Sequence, residues 1–445
     1  MSSAETAVEN PVEKRVIRKM YIRLVPFLII AYFVNYIDRT NLSFASLEMN
    51  ADLNLSQTAF GLGAGLFFVT YVVLEVPSNI ILEKVGARKW IARIMITWGI
   101  ISGCMAFIQN EVHFYIVRLL LGAAEAGFFP GMIFYLSIWF PIKHRARIQG
   151  VLLFAVPFSI TLGAPVSGLL LGVEAFGFVG WQIMYILEAL PAVIIGLATF
   201  IWLTDRPEVA KWLPEDEKQW LVDTLAREKE IIAANSKQTS GKGAWKLAFM
   251  DWRVWMIILG DIALCALNTG VGTFLPQIIK GLGIPDNFTV TVITAIPYAI
   301  AAVALLLWTR HSDKTGERKW HIAGPMGTAA ILMAGSVFIP DPVAKIVCLG
   351  GAMVCLYCFN PVLWTLPLSF LTGAAAASGV ALINACGNIA NFPIPYAIGY
   401  LKDATGSYDP GLFLVAILAA IGTVAILIVG QRKYIKPPEE QLAEA

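Results

Sequence analysis

Twelve separate stretches of this 445-residue chain are each apolar over about the length a helix needs to cross a bilayer. They fall near 20–47, 57–82, 90–109, 113–139, 146–172, 181–203, 252–280, 288–309, 320–339, 344–371, 375–401 and 410–430. Hydrocarbon offers no partner for a bare N–H or C=O, so segments of this kind must be helices that satisfy their own backbones. Composition agrees: 57% of residues are hydrophobic and only 14% charged, against about a quarter charged in soluble domains. With 33 basic and 31 acidic residues the chain is too evenly charged for a nucleic-acid binder. Disordered, coiled-coil and disulfide-stapled classes are excluded on the same figures.

The cations set the expected orientation. Of the 33 lysines and arginines, Lys280, Lys345 and Lys402 fall on one side, Arg39 and Arg118 lie inside spans, and all the others fall on the second side. By the positive-inside tendency that second side is cytoplasmic, together with both termini. The expected organisation is a cytoplasmic tail (1–19), a six-helix bundle (20–203), a cytoplasmic central loop (204–250), a second six-helix bundle (251–430) and a cytoplasmic tail (431–445). The tail from Met1 to Met20 has no apolar core and no cleavage signature, so it reads as uncleaved. Within the central loop, Trp212–Lys218 reads as the start of an amphipathic helix and Ser236–Gly243 as a flexible linker.

An internal repeat fixes the class. Glu83-Lys84-Val85-Gly86-Ala87-Arg88-Lys89-Trp90 recurs as Asp313-Lys314-Thr315-Gly316-Glu317-Arg318-Lys319-Trp320, each copy between the second and third span of its half. Duplicated halves are the mark of a transporter built from repeats. The paired loops resemble the signature loop of the major facilitator superfamily, although Asn79 and Thr309 stand where a glycine normally opens it. The resemblance implies an all-α membrane fold of two pseudo-symmetric six-helix bundles. It also implies a gating role for Glu83, Lys84, Arg88, Asp313, Lys314 and Arg318.

Seven ionisable residues remain at membrane depth: Asp38, Arg39, Glu75, Arg118, Glu125, Glu188 and Asp261. A charge at a helix centre costs about 2.5–3.5 kcal/mol on insertion scales, so each needs a partner or a polar cavity. Counted from Glu48, Asp38 lies about 15 Å deep, and counted from His113, Glu125 lies about 18 Å deep. Arg118 lies two helical turns before Glu125 on the same face. The two acids and two arginines are therefore placed to meet across one cavity, unless Asp38–Arg39 and Arg118–Glu125 are static ion pairs that fix packing. In the first case the chemistry is proton-coupled anion transport. Arginine offers a carboxylate a fixed fork at every working pH, and a buried carboxylate beside it takes and releases a proton.

Asn35-Tyr36-Ile37-Asp38-Arg39-Thr40-Asn41 in the first span and Arg118-Leu-Leu-Leu-Gly122-Ala-Ala-Glu125 with Pro130 in the fourth resemble the anion:cation symporter family, as do Trp139-Phe140-Pro141 and Arg145. By that resemblance Asp38 and Glu125 are proton sites, Arg39 contacts substrate and couples it to the proton, and Arg118 tunes Glu125 and lines the substrate site. Tyr71, Trp364 and Asn384 match substrate-lining positions. The run around Glu75 resembles the tartrate, phthalate and hydroxyphenylacetate branch, where Glu75 is either a third proton site or a structural hydrogen-bond partner. Asn384, Asn388 and Asn391 form a stripe on one side of the eleventh span, facing a cavity or another helix. Asn268, with Thr269, Thr273 and Gln277, gives the seventh span a pore-lining face. Glu188 reads as structural, and Asp261 fits no pattern.

The histidines (His113, His144, His311 and His321) flank or follow span ends, and the one Cys-x-x-Cys, Cys355 to Cys358, lies inside an apolar span without a second ligand pair, so no metal, cofactor or disulfide is expected. No nucleophile–base set suggests an enzyme. The expectation is a proton symporter importing a small organic carboxylate across a bacterial inner membrane, as a monomer and without a nucleic-acid partner. An antiporter or efflux protein of the same fold is the alternative. The fifth span carries only an incomplete echo, Gly163-Ala-Pro165-Val-Ser-Gly168, of the antiporter glycine pattern. A transporter-like receptor is less favoured, because the central loop is too short for an output domain.

Overall fold

The computed structural model describes residues 11–239, 244–371 and 373–429. The helices of the first half are α1 (Pro11–Asp52), α2 (Gln57–Val85), α3 (Ala87–Cys104), α4 (Glu111–Glu125), α5 (Phe128–Trp139), α6 (Ile142–Leu171) and α7 (Gly180–Trp202). Then follow α8 (Glu215–Thr239) and α9 (Ala244–Met250) of the central loop. The second half comprises α10 (Trp252–Cys265), α11 (Gly272–Gly281), α12 (Asn287–Thr315), α13 (Lys319–Phe338), α14 (Pro342–Leu363), α15 (Gly373–Ala390), α16 (Pro393–Thr405) and α17 (Asp409–Val429). Among the described residues, eleven helical stretches are long and apolar enough to cross a membrane unaided. The remaining span is α15 with α16, interrupted at Asn391–Phe392. The result is an all-helical membrane fold of two six-span bundles.

Helix ends follow ordinary capping chemistry. Ser56, Asn110, Asp286 and Asp341 each accept a backbone N–H in the first turn of α2, α4, α12 and α14. Gly316, at φ +66°, closes α12 in the left-handed conformation.

Two expectations need correction at the edges. The helix that carries the first span starts earlier than residue 20, as one continuous helix runs from Pro11. Lys19 on that helix reaches the buried Glu217 of α8 at 2.7 Å, which ties the helix start to the central loop. The linker expected at Ser236–Gly243 is helical through Thr239, where Ala-Ala-Asn-Ser-Lys-Gln offers no breaker until Gly241. Its remainder (240–243), residues 1–10 and the tail from 430 lie outside the described residues.

The two halves are tied together at the end opposite the signature loops. Asp403 accepts from the backbone N–H groups of Gln57 and Thr58, and the Tyr408 hydroxyl lies within hydrogen-bond distance of the side-chain amides of Gln57 and Gln277. Lys280 donates to the Leu47 carbonyl, and Asn287 to Glu48. Glycines allow the closest approaches. A Cβ on Gly61 would stand 2.3 Å from the Pro395 carbonyl oxygen, and one on Gly399 would stand 2.0 Å from that of Gln57. That end is sealed.

Candidate functional site

The fourth span is broken at its acid. α4 stops at Glu125, Ala126 turns out of the helix, and Gly127 adopts the left-handed conformation (φ +86°) before α5 restarts. A side chain at Gly127 would also strike Ser78, since a Cβ there would lie 2.5 Å from its Oγ. Helix ends inside a bilayer are tolerated where backbone and side chains line a cavity. The seventh span has a comparable irregularity. Between α10 and α11, residues Ala266–Val271 form a π-helical turn carrying Asn268 and Thr269, a distortion found mostly at functional sites.

The two irregular spans face one cavity of about 110 Å³ between the halves. Asp38, Arg39, Arg118 and Glu125 line it from the first half, and Asn268, Thr269, Thr273 and Tyr298 from the second. The four charged residues therefore share one cavity, but they are not paired as Asp38–Arg39 and Arg118–Glu125. Glu125 does not pair with Arg118 on its own helix. Its Oε1 accepts from Arg39 Nε at 2.5 Å and from Asn35 Nδ2 at 2.8 Å. Arg118 instead donates to the Gly63 and Ala64 carbonyls at 3.1 and 3.3 Å, in the groove that those small residues leave on α2. Asp38 does not pair with Arg39 either; it accepts from Ser102 Oγ of α3 and, at 3.4 Å, from Asn41. Glu125 Oε2 and Asp38 Oδ2 are buried without a hydrogen-bond partner among the described residues.

Aromatic rings frame the arginines. The Arg39 guanidinium lies over Tyr71, Phe67 and Tyr36 with ring-centre distances of 5.1, 5.6 and 5.9 Å, and Arg118 lies 4.9 Å over Phe67. Such faces hold a guanidinium without neutralising it. Tyr71 thus touches Arg39 while standing behind the cavity wall. Glu75, one turn further along α2, is half-buried and gives its backbone carbonyl to Asn79 at 2.8 Å. Trp364, Asn384 and Asn388 are not in the lining of this cavity. Trp364 caps α14 and packs on the core, and the amides of the stripe turn partly on each other, Asn391 donating to Asn388. Asn35, Ser102 and Tyr298 were missed. Asn35 had a signal, one turn before Arg39 on the same helix; Ser102 had none.

The signature loops use their charges differently. Arg88 turns from Glu83 to Asp205, which accepts its backbone N–H at 2.9 Å and lies 3.4 Å from its Nε. Arg318 pairs with Asp313 at 2.7 Å and also donates to Ser312. Glu317 caps α13 through the Trp320 N–H and meets the His321 ring, which in turn lies 2.8 Å from His311. Glu83, Lys84 and Lys314 are exposed.

Two six-span bundles closed at one end around a charged cavity form a membrane transporter. The family comparison states it more narrowly. Residues 28–395 match the model of the Major Facilitator Superfamily, and the chain belongs to that family, whose members are transporters and not enzymes. A protein of Agrobacterium vitis named "Putative tartrate transporter" is 46% identical over 95% of this chain and 96% of its own. A "Quinolone resistance transporter" of Acinetobacter baumannii is 40% identical over 94% and 95%. Among solved structures, an inward-facing bacterial homolog of the human lysosomal transporter Spinster superposes with a TM-score of 0.74 at 16% identity, covering 95% of this chain and 99% of that one. A D-xylose–proton symporter gives 0.72 at 16% identity, covering 94% and 98%. At these identities the two structures speak for the fold.

Proposed function

We propose that the chain imports a small organic acid anion by proton symport, alternating access around the central cavity. One observation carries the reading: inside the cavity, the guanidinium of Arg39 is held through its Nε by Glu125. A carboxylate substrate and the Glu125 carboxylate compete for one guanidinium. Protonation of Glu125 releases Arg39 to the anion, and loss of that proton reclaims Arg39 and expels the anion. Asp38 is the second proton site, and Arg118 completes the positive wall with Tyr71 behind Arg39 and Asn268 opposite. The tartrate name of the relative supports a hydroxylated carboxylate, and the resemblance of the run around Glu75 adds phthalate and hydroxyphenylacetate. The cation distribution supports cytoplasmic termini, and the bacterial relatives support a bacterial inner membrane.

The test is uptake into proteoliposomes over a panel of those acids, with current and internal pH recorded together. Wild type should accumulate one acid class uphill under an inward proton gradient. Glu125→Gln should lose uphill accumulation while retaining counterflow exchange. Full uphill uptake by that variant would remove Glu125 from the coupling. The quinolone-resistance name of the second relative favours proton-driven efflux as the other reading, and efflux requires substrate to leave the vesicle as protons enter.

A further inference from the structure

Behind Asp38, away from the cavity, a third buried acid continues toward the sealed end. Glu188 of α7 is 6% exposed, and its Oε1 accepts from Ser167 Oγ of α6 at 2.6 Å. Its Oε2 has no hydrogen-bond partner among the described residues, which is also the condition of Asp38 Oδ2 and of the Tyr185 hydroxyl. Tyr185, one turn before Glu188, lies within the electrostatic reach of Asp38, Glu188 and Arg118. The Asn41 amide donates to Asp38 Oδ1 at 3.4 Å and lies beside Glu188.

Depth orders these groups. At about 1.5 Å per residue, measured from the helix ends at the sealed side, Ser167 lies about 6 Å in, Glu188 about 12 Å, Asn41 about 16 Å and Asp38 about 21 Å. The ladder runs through the first bundle, where no gap between the halves is needed. Static packing does not account for it. A packing carboxylate in a bilayer is ordinarily neutralised by a cation or a full set of donors, whereas these acids each keep a buried oxygen open.

We propose that Glu188 is a proton-relay carboxyl that passes protons between Asp38 and the end of the molecule opposite the signature loops. In each transfer the Asn41 amide swings aside so that the two carboxyls meet, and an O–H bond on one breaks as one forms on the other. One proton moves inward and one negative charge moves outward. The groups facing Glu188 are Asp38 and Asn41 from α1, Ser167 from α6 and Tyr185 from its own helix. The relay rests on the assignment of Asp38 as a proton site, but not on the identity of the substrate.

The test is infrared titration of the purified, substrate-free protein, following the protonated-carboxyl C=O band. Glu188→Gln should remove one band and displace the titration of the band that Asp38→Asn removes. Glu188→Asp should restore the coupling in part. Ser167→Ala, which leaves every carboxyl in place, should displace the Glu188 band alone. In proteoliposomes with tartrate as probe, Glu188→Gln should slow pH-gradient-driven uptake by about tenfold or more while leaving counterflow at equal pH unchanged. An unaltered Asp38 band in a monodisperse Glu188→Gln protein overturns the relay, whatever is transported. Coupled bands without tartrate uptake leave the relay standing and overturn tartrate as the cargo.

Discussion

At the scale of single residues, the cavity gives its two arginines different partners. Arg118 is spent on backbone carbonyls and the face of Phe67, whereas Arg39 is held by a group that can let go. Lysine keeps the charge of Arg39 but not its fork, and a point charge cannot offer a substrate carboxylate two parallel N–H groups in one plane. Arg39→Lys should therefore weaken substrate binding by about tenfold or more, read by calorimetry on purified protein, while the melting temperature changes little. Unchanged affinity would make Arg39 a packing residue. The four charges were legible because depth along a helix is simple arithmetic from either end. Their partners were not. Which arginine meets Glu125 depends on the rotation of α1 against α4 and on the groove left by Gly63 and Ala64, and neither is written in the spacing.

At the scale of elements, the irregular helices do the positioning. The break after Glu125 needs Gly127 at φ +86°, which costs a side chain strain, and a Cβ there would also meet Ser78. Gly127→Ala should destabilise by more than about 1 kcal/mol and straighten the span, moving Glu125 off Arg39. Thermal melting in detergent and the loss of proton-driven uptake would show both effects, and a variant with wild-type melting would show the break to be incidental. The α10 start offers a pH test outside the membrane. Hydrogen bonds from the Arg253 side chain and backbone hold Asp251 below the usual aspartate range despite some burial. A depressed carboxyl contributes stability above its unfolded pKa and loses it as pH falls through its folded value. Asp251→Ala should thus cost about 1 kcal/mol at neutral pH. That difference should hold down to about pH 4 and shrink only below it, as melting of the two proteins across pH would read. The sequence showed these elements as apolar runs and could not show their interruptions. Gly127, Pro130, Phe392 and Pro393 sit in runs that remain hydrophobic throughout, so length and hydropathy carry straight across a break in hydrogen bonding.

At the scale of the whole molecule, the fold poses a two-state problem, and the glycines at the sealed end set its balance. The duplicated loops and the cation distribution made two six-span halves legible, because topology is set by charges outside the membrane. The way the halves seat on each other was not legible, since the contact depends on backbone approaching backbone. Gly61 meets the Pro395 carbonyl and Gly399 meets that of Gln57, both too closely for any Cβ, and backbone cannot yield as a flexible side chain would. Gly61→Val should therefore penalise the sealed arrangement while leaving each bundle intact. A shift of about 1.4 kcal/mol changes the ratio of the two states tenfold. Spin labels at the exposed positions Glu111 and Ala404, both at the sealed end, would report the change as a longer distance population. Transport should fall while the melting transition of the separate bundles persists, because the variant removes one of the two arrangements that alternating access requires. An unchanged distance distribution would mean that the seal is held by the Asp403, Tyr408 and Lys280 hydrogen bonds rather than by the glycine contacts. In that case Asp403→Ala should open what Gly61→Val did not.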